Sequence, residues 1–191
     1  MDTPAKIETV SAVGISPEVA DEIAALQASV WPNSKRKYED RRHRILNEWQ
    51  AYKGPAVLRP RFFLIREAEQ LVATAHVFPR EVITSEGNMT VLGLAGVCAS
   101  PEHRGKHLGR AVVLAGFEIV DQGHFPYSLF QTSVDVRPFY EKLRATKVDN
   151  RFFNSLGEDP DANPFWDTEI MRYPDRPGWP EGPIDLLGAA Y

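Results

Sequence analysis

Val91 to Val120 reads VLGLAGVCASPEHRGKHLGRAVVLAGFEIV. Val91 to Ala99 is apolar or small throughout and short enough for a buried strand. Ser100-Pro101-Glu102 breaks it, because proline fixes its own backbone and restricts the residue before it. From His107 onward the apolar residues fall at Leu108, Ala111, Val112, Ala115, Ile119 and Val120, which share one helix face. Between strand and helix lies Arg104-Gly105-Lys106-His107-Leu108-Gly109-Arg110. A turn feeding a helix start leaves amide N–H groups without internal acceptors, and the helix dipole adds partial positive charge there. The expected occupant is an anion, above all a phosphate. Gly105 and Gly109 allow close backbone approach, while Arg104, Lys106 and Arg110 add full charges. In the competing reading the helix is simply capped in an ordinary α/β domain and its basic residues are solvated surface.

Two phosphate loops are excluded by their spacing. A Walker loop needs G-x-x-x-x-G-K-[ST], yet Lys106 is followed by His107, and no G-x-G-x-x-G run is present. The segment resembles the acyl-CoA pyrophosphate loop of the GNAT superfamily of N-acetyltransferases, [RQ]-x-x-G-x-[GA] after a strand and a proline turn. Arg104 matches its first position and Gly109 its last; His107 stands where the middle glycine is usual. A non-glycine there still donates its N–H but tolerates positive φ poorly.

The resemblance implies a mixed, mostly antiparallel central sheet flanked by helices, an α/β (α+β) fold. Two parallel strands would splay at the cofactor site, admitting the thioester arm. It assigns Arg104 to Arg110 to the pyrophosphate and places Val97, Cys98 and Ala99 against the pantetheine. The cosubstrate is then acetyl-CoA or another acyl-CoA.

The remaining chain order suits that fold. Residues 1 to 6 are read as a frayed end, and Ile7 to Ile15 as an edge strand. Ser16-Pro17-Glu18 is a helix start with serine at the cap, followed by a stripe of Val19, Ile23, Leu26 and Val30. A second helix is predicted from Tyr38 to Tyr52. At its start sits a basic cluster, Lys35, Arg36, Lys37, Arg41, Arg42 and Arg44. This reads chiefly as a solvated face, with contact to an anionic ligand left open. Arg61 to Glu67 and Leu71 to Val82 are predicted strands joined at Ala68-Glu69-Gln70, and Ser85 to Asn88 is the next turn. Gly123 is a left-handed exit from the central helix, and Tyr127 to Thr132 is a strand parallel to Val91–Ala99. Ser133 to Arg144 is a short helix, Val148 to Phe153 the next strand and Thr168 to Tyr173 the last. Six of the 15 prolines fall between Pro160 and Pro183, alongside Trp166 and Trp179. Residues 174–191 are therefore read as an extended segment packed on one domain of 191 residues.

Composition narrows the class. The chain is 43% hydrophobic and 25% charged, as in ordinary soluble domains, and its net charge of −4 argues against a general nucleic-acid binder. One cysteine, Cys98, excludes an intrachain disulfide. No secretion-type leader is visible and no stretch reaches about 18 apolar residues, so a cytoplasmic protein without membrane contact is the simplest reading. The five histidines lack close metal spacing, and no metal is expected. Homodimerisation is left open.

Acetyl transfer to an amine needs a neutral amine, a donor for the oxyanion and a proton for the leaving thiolate. Phe139-Tyr140-Glu141-Lys142-Leu143 resembles the family's F-Y-x-x-[LA]-G helix, with Arg144 following in place of glycine. By that resemblance Tyr140 sits near the cofactor sulfur and is the catalytic acid, since a phenol of pKa about 10 is protonated at neutral pH. The competing reading makes it a core aromatic with its hydroxyl bonded elsewhere. No carboxylate stands on Gly93-Leu94-Ala95-Gly96, where many family members carry a glutamate. A water relay, Glu81, Glu86, Glu158 or the carboxyl of Tyr191 remain as sources of the base. Cys98, in an apolar strand without a neighbouring base, reads as packing.

Asp159, Asp161, Asp167 and Glu169, with Trp31 and Trp166, are a candidate pocket for a cationic amine; solvated acids and packed tryptophans are the equal alternative. The C-terminal region also faintly resembles aminoglycoside 2'-N-acetyltransferases. The expected function is acetyl-CoA-dependent N-acetylation of a primary amine on a small molecule or protein. The alternatives are a non-catalytic acyl-CoA-binding module and a transferase of longer acyl chains, for which Gly93 and Gly96 leave room.

Overall fold

A computed structural model describes residues 5–191. Residues 1 to 4 of the expected frayed end lie outside them; Ala5 and Lys6 are exposed and irregular. The chain divides into two compact units, one of residues up to Phe78 with Gly96–Gly116, the other of Pro79–Ala95 with Phe117–Tyr191. Strands β3 (Gln70–Thr84) and β4 (Gly87–Ala99) and helix α3 (Leu108–Asp121) each run from one unit into the other.

In the first unit β1 (Ile7–Ser11) pairs antiparallel with β2 (Arg61–Glu67), and β2 with β3. The edge strand stops at Ser11, four residues short of expectation, because Ser11 turns its hydroxyl onto its own chain at Val13. Helix α1 (Pro17–Val30) begins as read, with the Ser16 hydroxyl accepting from the Val19 amide. Helix α2 (Tyr38–Asn47) ends five residues before Tyr52, and the chain continues in turns past Trp49. Ile23, Ala24, Ile45, Phe62, Leu64 and Cys98 form one apolar core, with Val19, Val30 and Trp49 against it. The β2–β3 turn is a two-residue hairpin: Glu67 pairs with Gln70, and both Ala68 (φ 46°) and Glu69 (φ 67°) are left-handed. Two positive φ values match the twist of the flanking strands, even without glycine.

In the second unit β4 pairs parallel with β5 (Ser128–Thr132), Leu92 opposite Ser128 and Gly93 opposite Leu129. The pairing ends there, although β4 continues through Leu94 and Ala95 in the same unit. Strand β5 also pairs antiparallel with β8 (Glu169–Tyr173), and β8 with β6 (Thr146–Lys147). Of the strand expected over Val148–Phe153 only the last two residues are strand, and a separate short strand lies before its expected start. Thr146–Lys147 joins β8, while β7 (Phe152–Phe153) pairs with β9 (Ile184–Asp185), a strand later than the one expected to be last. Helix α4 covers only Arg137–Glu141, since Pro138 confines regular helix to the turns that follow it. After β8, Trp179 meets Tyr127 edge to face, Ile184, Leu186 and Ala190 are buried among Val82, Leu129, Phe152 and Phe165, and the buried Tyr191 ring meets Phe165 edge to face. A mixed, mostly antiparallel sheet with flanking helices is thus present, as the sequence implied. No helix among the described residues is long and apolar enough to cross a membrane.

Candidate active site

The basic turn is built in the first unit. After β4, the Ser100 amide donates to the Val72 carbonyl (2.8 Å), and Pro101–His103 makes one 3₁₀ turn. Gly105 (φ 84°) and His107 (φ 57°) are left-handed, and α3 begins at Leu108. His107 therefore adopts the conformation that glycine would supply. Its carbonyl accepts the first α-helical bond, from the Ala111 amide (3.1 Å). The amides of Leu108, Gly109 and Arg110 form the first helical turn and have no acceptor within it.

The three cations of this turn divide. Lys106 Nζ lies 2.6 Å from Glu67, and His103 Nε2 3.5 Å from the same carboxylate. Lys106, expected to contribute charge to a phosphate, instead fastens the turn to β2. That hydrogen bond holds the Glu67 carboxyl below its usual range. Arg104 and Arg110 are exposed and make no salt bridge among the described residues. They are the two full charges available to an anion.

Of the β4 residues, Val97 and Ala99 are half-buried, while the Cys98 side chain belongs to the first unit's core. Burial pushes its thiol up to about 12, so Cys98 is packing and not a nucleophile. Its main chain alone is left to face a pantetheine. Gly96 is left-handed (φ 60°) in mid-strand, as at a bulge. A Cβ there would stand 2.7 Å from Gln27 Nε2, so the α1 amide depends on the absence of a side chain.

Gln27 leads to a group that sequence reasoning missed. Arg41 was read as part of a solvated cluster, yet it is only 8% exposed. Its Nη1 reaches Gln27 Oε1 at 3.5 Å, its Cζ lies 5.2 Å from the centre of the Trp31 ring, and its Nε is sealed without a partner. Of its neighbours in the cluster, Arg42 pairs with Asp21 and Arg44 with Glu48. The sequence signal was faint: Arg41 is placed four residues before Ile45, on the same helix face.

Tyr140 lies in the second unit on α4, 6% exposed, against Phe130 (4.6 Å between ring centres) and Phe139. Burial alone pushes its phenol well above the ordinary value. The other three buried tyrosines spend their hydroxyls within the fold: Tyr127 donates to the Pro177 carbonyl, Tyr173 to Asp121 and Tyr191 to the Leu129 carbonyl. The Tyr140 hydroxyl has no such partner among the described residues, nor is it sealed from solvent. Arg144, at the family's glycine position, is left-handed at φ 65°, its carbonyl accepting from the Asp175 amide.

The acidic residues offered for a cationic amine are partly spent. Glu169 is buried, with one oxygen 2.8 Å from Arg137 and the other 3.2 Å from Lys147. Asp161 pairs with Arg151. Burial holds the half-buried Asp167 above the usual carboxylate range. Tyr191 offers its main-chain oxygen to Gln131 Nε2 (2.7 Å), and Gln131 Oε1 in turn accepts from the Trp166 and Asp167 amides. An open hollow of about 560 Å³ lined by Asn150, Arg151, Trp179 and Glu181 holds none of the residues assigned to cofactor, proton transfer or acceptor. Among the described residues no group of three histidine, cysteine or acidic side chains could hold a metal.

These features coincide with a known family. The model of the acetyltransferase (GNAT) domain matches residues 14–143, more than half of the chain. Solved structures share the fold. A GNAT-family acetyltransferase from Staphylococcus aureus Mu50 superposes with a TM-score of 0.60 at 13% identity, over 87% of this chain and 98% of its own. Glucosamine-6-phosphate N-acetyltransferase from Arabidopsis thaliana gives 0.53 at 17% identity, over 72% and 89%. A GCN5-related N-acetyltransferase from Kribbella flavida gives 0.55 at 19% identity over 75% of this chain, which spans only 33% of that larger protein. A proline-turned strand, a left-handed basic turn and an amphipathic helix, lying within the span of the family match, make this chain a member of the GNAT family of acetyltransferases.

Proposed function

We propose that the chain transfers an acetyl group from acetyl-CoA to a primary amine by direct attack on the thioester. The observation that carries this reading is the pair of left-handed residues, Gly105 and His107, delivering the chain into α3. That turn leaves the Leu108, Gly109 and Arg110 amides without helical acceptors and keeps Arg104 and Arg110 uncommitted, which suits a pyrophosphate. Val97 and Ala99, with the main chain of Cys98, are assigned to the pantetheine arm. Because β4 leaves β5 after Gly93, its backbone groups are available to pantetheine amides.

In the proposed reaction the neutral amine attacks the thioester carbonyl, and the carbon–sulfur bond then breaks. Tyr140 supplies the proton that the departing thiolate takes. Its hydroxyl is uncommitted among the described residues and, as a phenol, stays protonated at neutral pH. No carboxylate lies on β4 between Gly93 and Gly96, so the amine loses its proton to water or to a carboxylate from another element, which acts as the base. Cys98 forms no acyl intermediate.

Calorimetric titration with acetyl-CoA and longer acyl-CoAs, followed by thiol release against an amine panel, tests this reading. Saturable acetyl-CoA binding with amine-dependent thiol release is expected. Binding without release from any amine would instead mark an acyl-CoA-binding module, and a preference for long chains a different acyl donor.

A further inference from the structure

Arg41 is the least satisfied charge in the first unit's core. A guanidinium carries five donors, and at 8% exposure this one has, among the described residues, a single long hydrogen bond to Gln27, no salt bridge and a sealed, unpartnered Nε. Its sequence neighbour Asp40 is turned to the Lys37 amide (2.9 Å), at the helix start. Burying a charge without a partner is strongly unfavourable, and arginines in that state ordinarily sit against a carboxylate. Burial pulls the Arg41 pKa below its usual value, though far too little to discharge a guanidinium at neutral pH. The charge therefore stays, and the fold supplies it with an aromatic face (Trp31) and an amide (Gln27), not an anion.

Resting on the acetyl-transfer reading, we propose that Arg41, steadied by Gln27 and Trp31, binds an anionic oxygen group on the acceptor, so that the substrate class is amines bearing a carboxylate or phosphate. The planar fork of arginine matches two oxygens of either group. Gln27 joins this subsite to the reaction strand, because its amide nitrogen occupies the space a side chain on Gly96 would fill. The basic cluster at the start of α2 thus divides: Arg42 and Arg44 are spent on Asp21 and Glu48, and Arg41 has no acidic partner among the described residues.

The test measures thiol release from acetyl-CoA for wild type, Arg41→Lys and Arg41→Met. The acceptors are the amino acids beside their carboxamides, and amino-sugar phosphates beside the parent amino sugars. Wild type is expected to favour the anionic member of one pair by about ten- to a hundredfold, the range of a charge-assisted hydrogen bond. Which pair responds separates carboxylate from phosphate. Arg41→Met should abolish that preference and Arg41→Lys keep part of it, with the KM for acetyl-CoA within about twofold throughout, as for a contact that does not touch the donor. Preference for neutral amines, or a ratio unmoved in Arg41→Met, overturns the proposal. Should no amine release thiol, acetyl transfer itself fails, and urea unfolding decides the role of Arg41. An unchanged or higher midpoint for Arg41→Met upholds a ligand-directed charge, while a lower midpoint makes Arg41 structural and ends the proposal.

Discussion

At single residues the chain twice replaces a glycine usual in its family, and both replacements have the same physics. His107 and Arg144 replace usual glycines, and both take left-handed φ angles, 57° and 65°. For a residue with a Cβ that conformation costs about 1–2 kcal/mol, while glycine there gives back some of the gain as unfolded-state entropy. His107→Gly should therefore raise unfolding stability by up to about 1 kcal/mol in urea and leave coenzyme A affinity intact. A destabilised His107→Gly would mean that the imidazole makes a contact worth more than the strain. Tyr140 provides the complementary case. Since its hydroxyl bonds nothing among the described residues, Tyr140→Phe should leave stability unchanged, whereas losing the proposed proton donor should lower kcat about a hundredfold with acetyl-CoA affinity retained. Turnover reduced only slightly would remove Tyr140 from the acid role. Cys98 shows the reverse relation: a reactive side chain made inert by burial.

Among elements, the β2–β3 hairpin turns on Ala68 and Glu69, both left-handed without glycine. The double substitution Ala68→Asn, Glu69→Gly supplies the residues such a turn prefers and should raise the unfolding midpoint, by roughly 1 kcal/mol. No change would indicate that the turn relaxes at little cost. Elements with strong local signals were legible in the sequence: β2 over Arg61–Glu67, the Ser16 cap of α1, the proline turn at Pro101 and the start of α3. Where pairing partners decide the structure, sequence alone did not suffice. Phe152–Phe153 is a strand only because Ile184–Asp185 returns beside it, and Thr146–Lys147 only because β8 does. Within the candidate site, the glycine-bearing basic turn ahead of α3 was readable from its glycines and arginines. The commitment of Lys106 to Glu67 and the burial of Arg41 were not, because each depends on contacts distant in sequence.

For the whole molecule, acid sensitivity has a specific source. His76 is 7% exposed, stacked on Phe62 with ring centres 4.3 Å apart and close to Phe78 and Trp49; its Nε2 has no partner. Burial lowers its pKa to about 3, with the Arg44 charge acting the same way. A histidine held neutral in the fold but protonated when unfolded contributes nothing against stability above about pH 6.5. Below that the unfolded chain binds the extra proton, so stability falls with pH, by about 2 kcal/mol between pH 6.5 and 4.5. The carboxylates paired with cations, Glu67 and Glu169, have lowered pKa values and add their losses only at lower pH. Denaturant midpoints for His76→Phe should thus be nearly flat from pH 6.5 to 4.5 where wild type declines; matching slopes would assign the acid response elsewhere. The central claim, that the turn ahead of α3 holds a pyrophosphate, is tested most directly by amide NMR during titration with coenzyme A and, separately, with pantetheine. Resonances of Gly105 to Arg110 should move with coenzyme A and stay in place with pantetheine, which lacks the phosphates. Saturating coenzyme A that leaves those amides unmoved would contradict the claim.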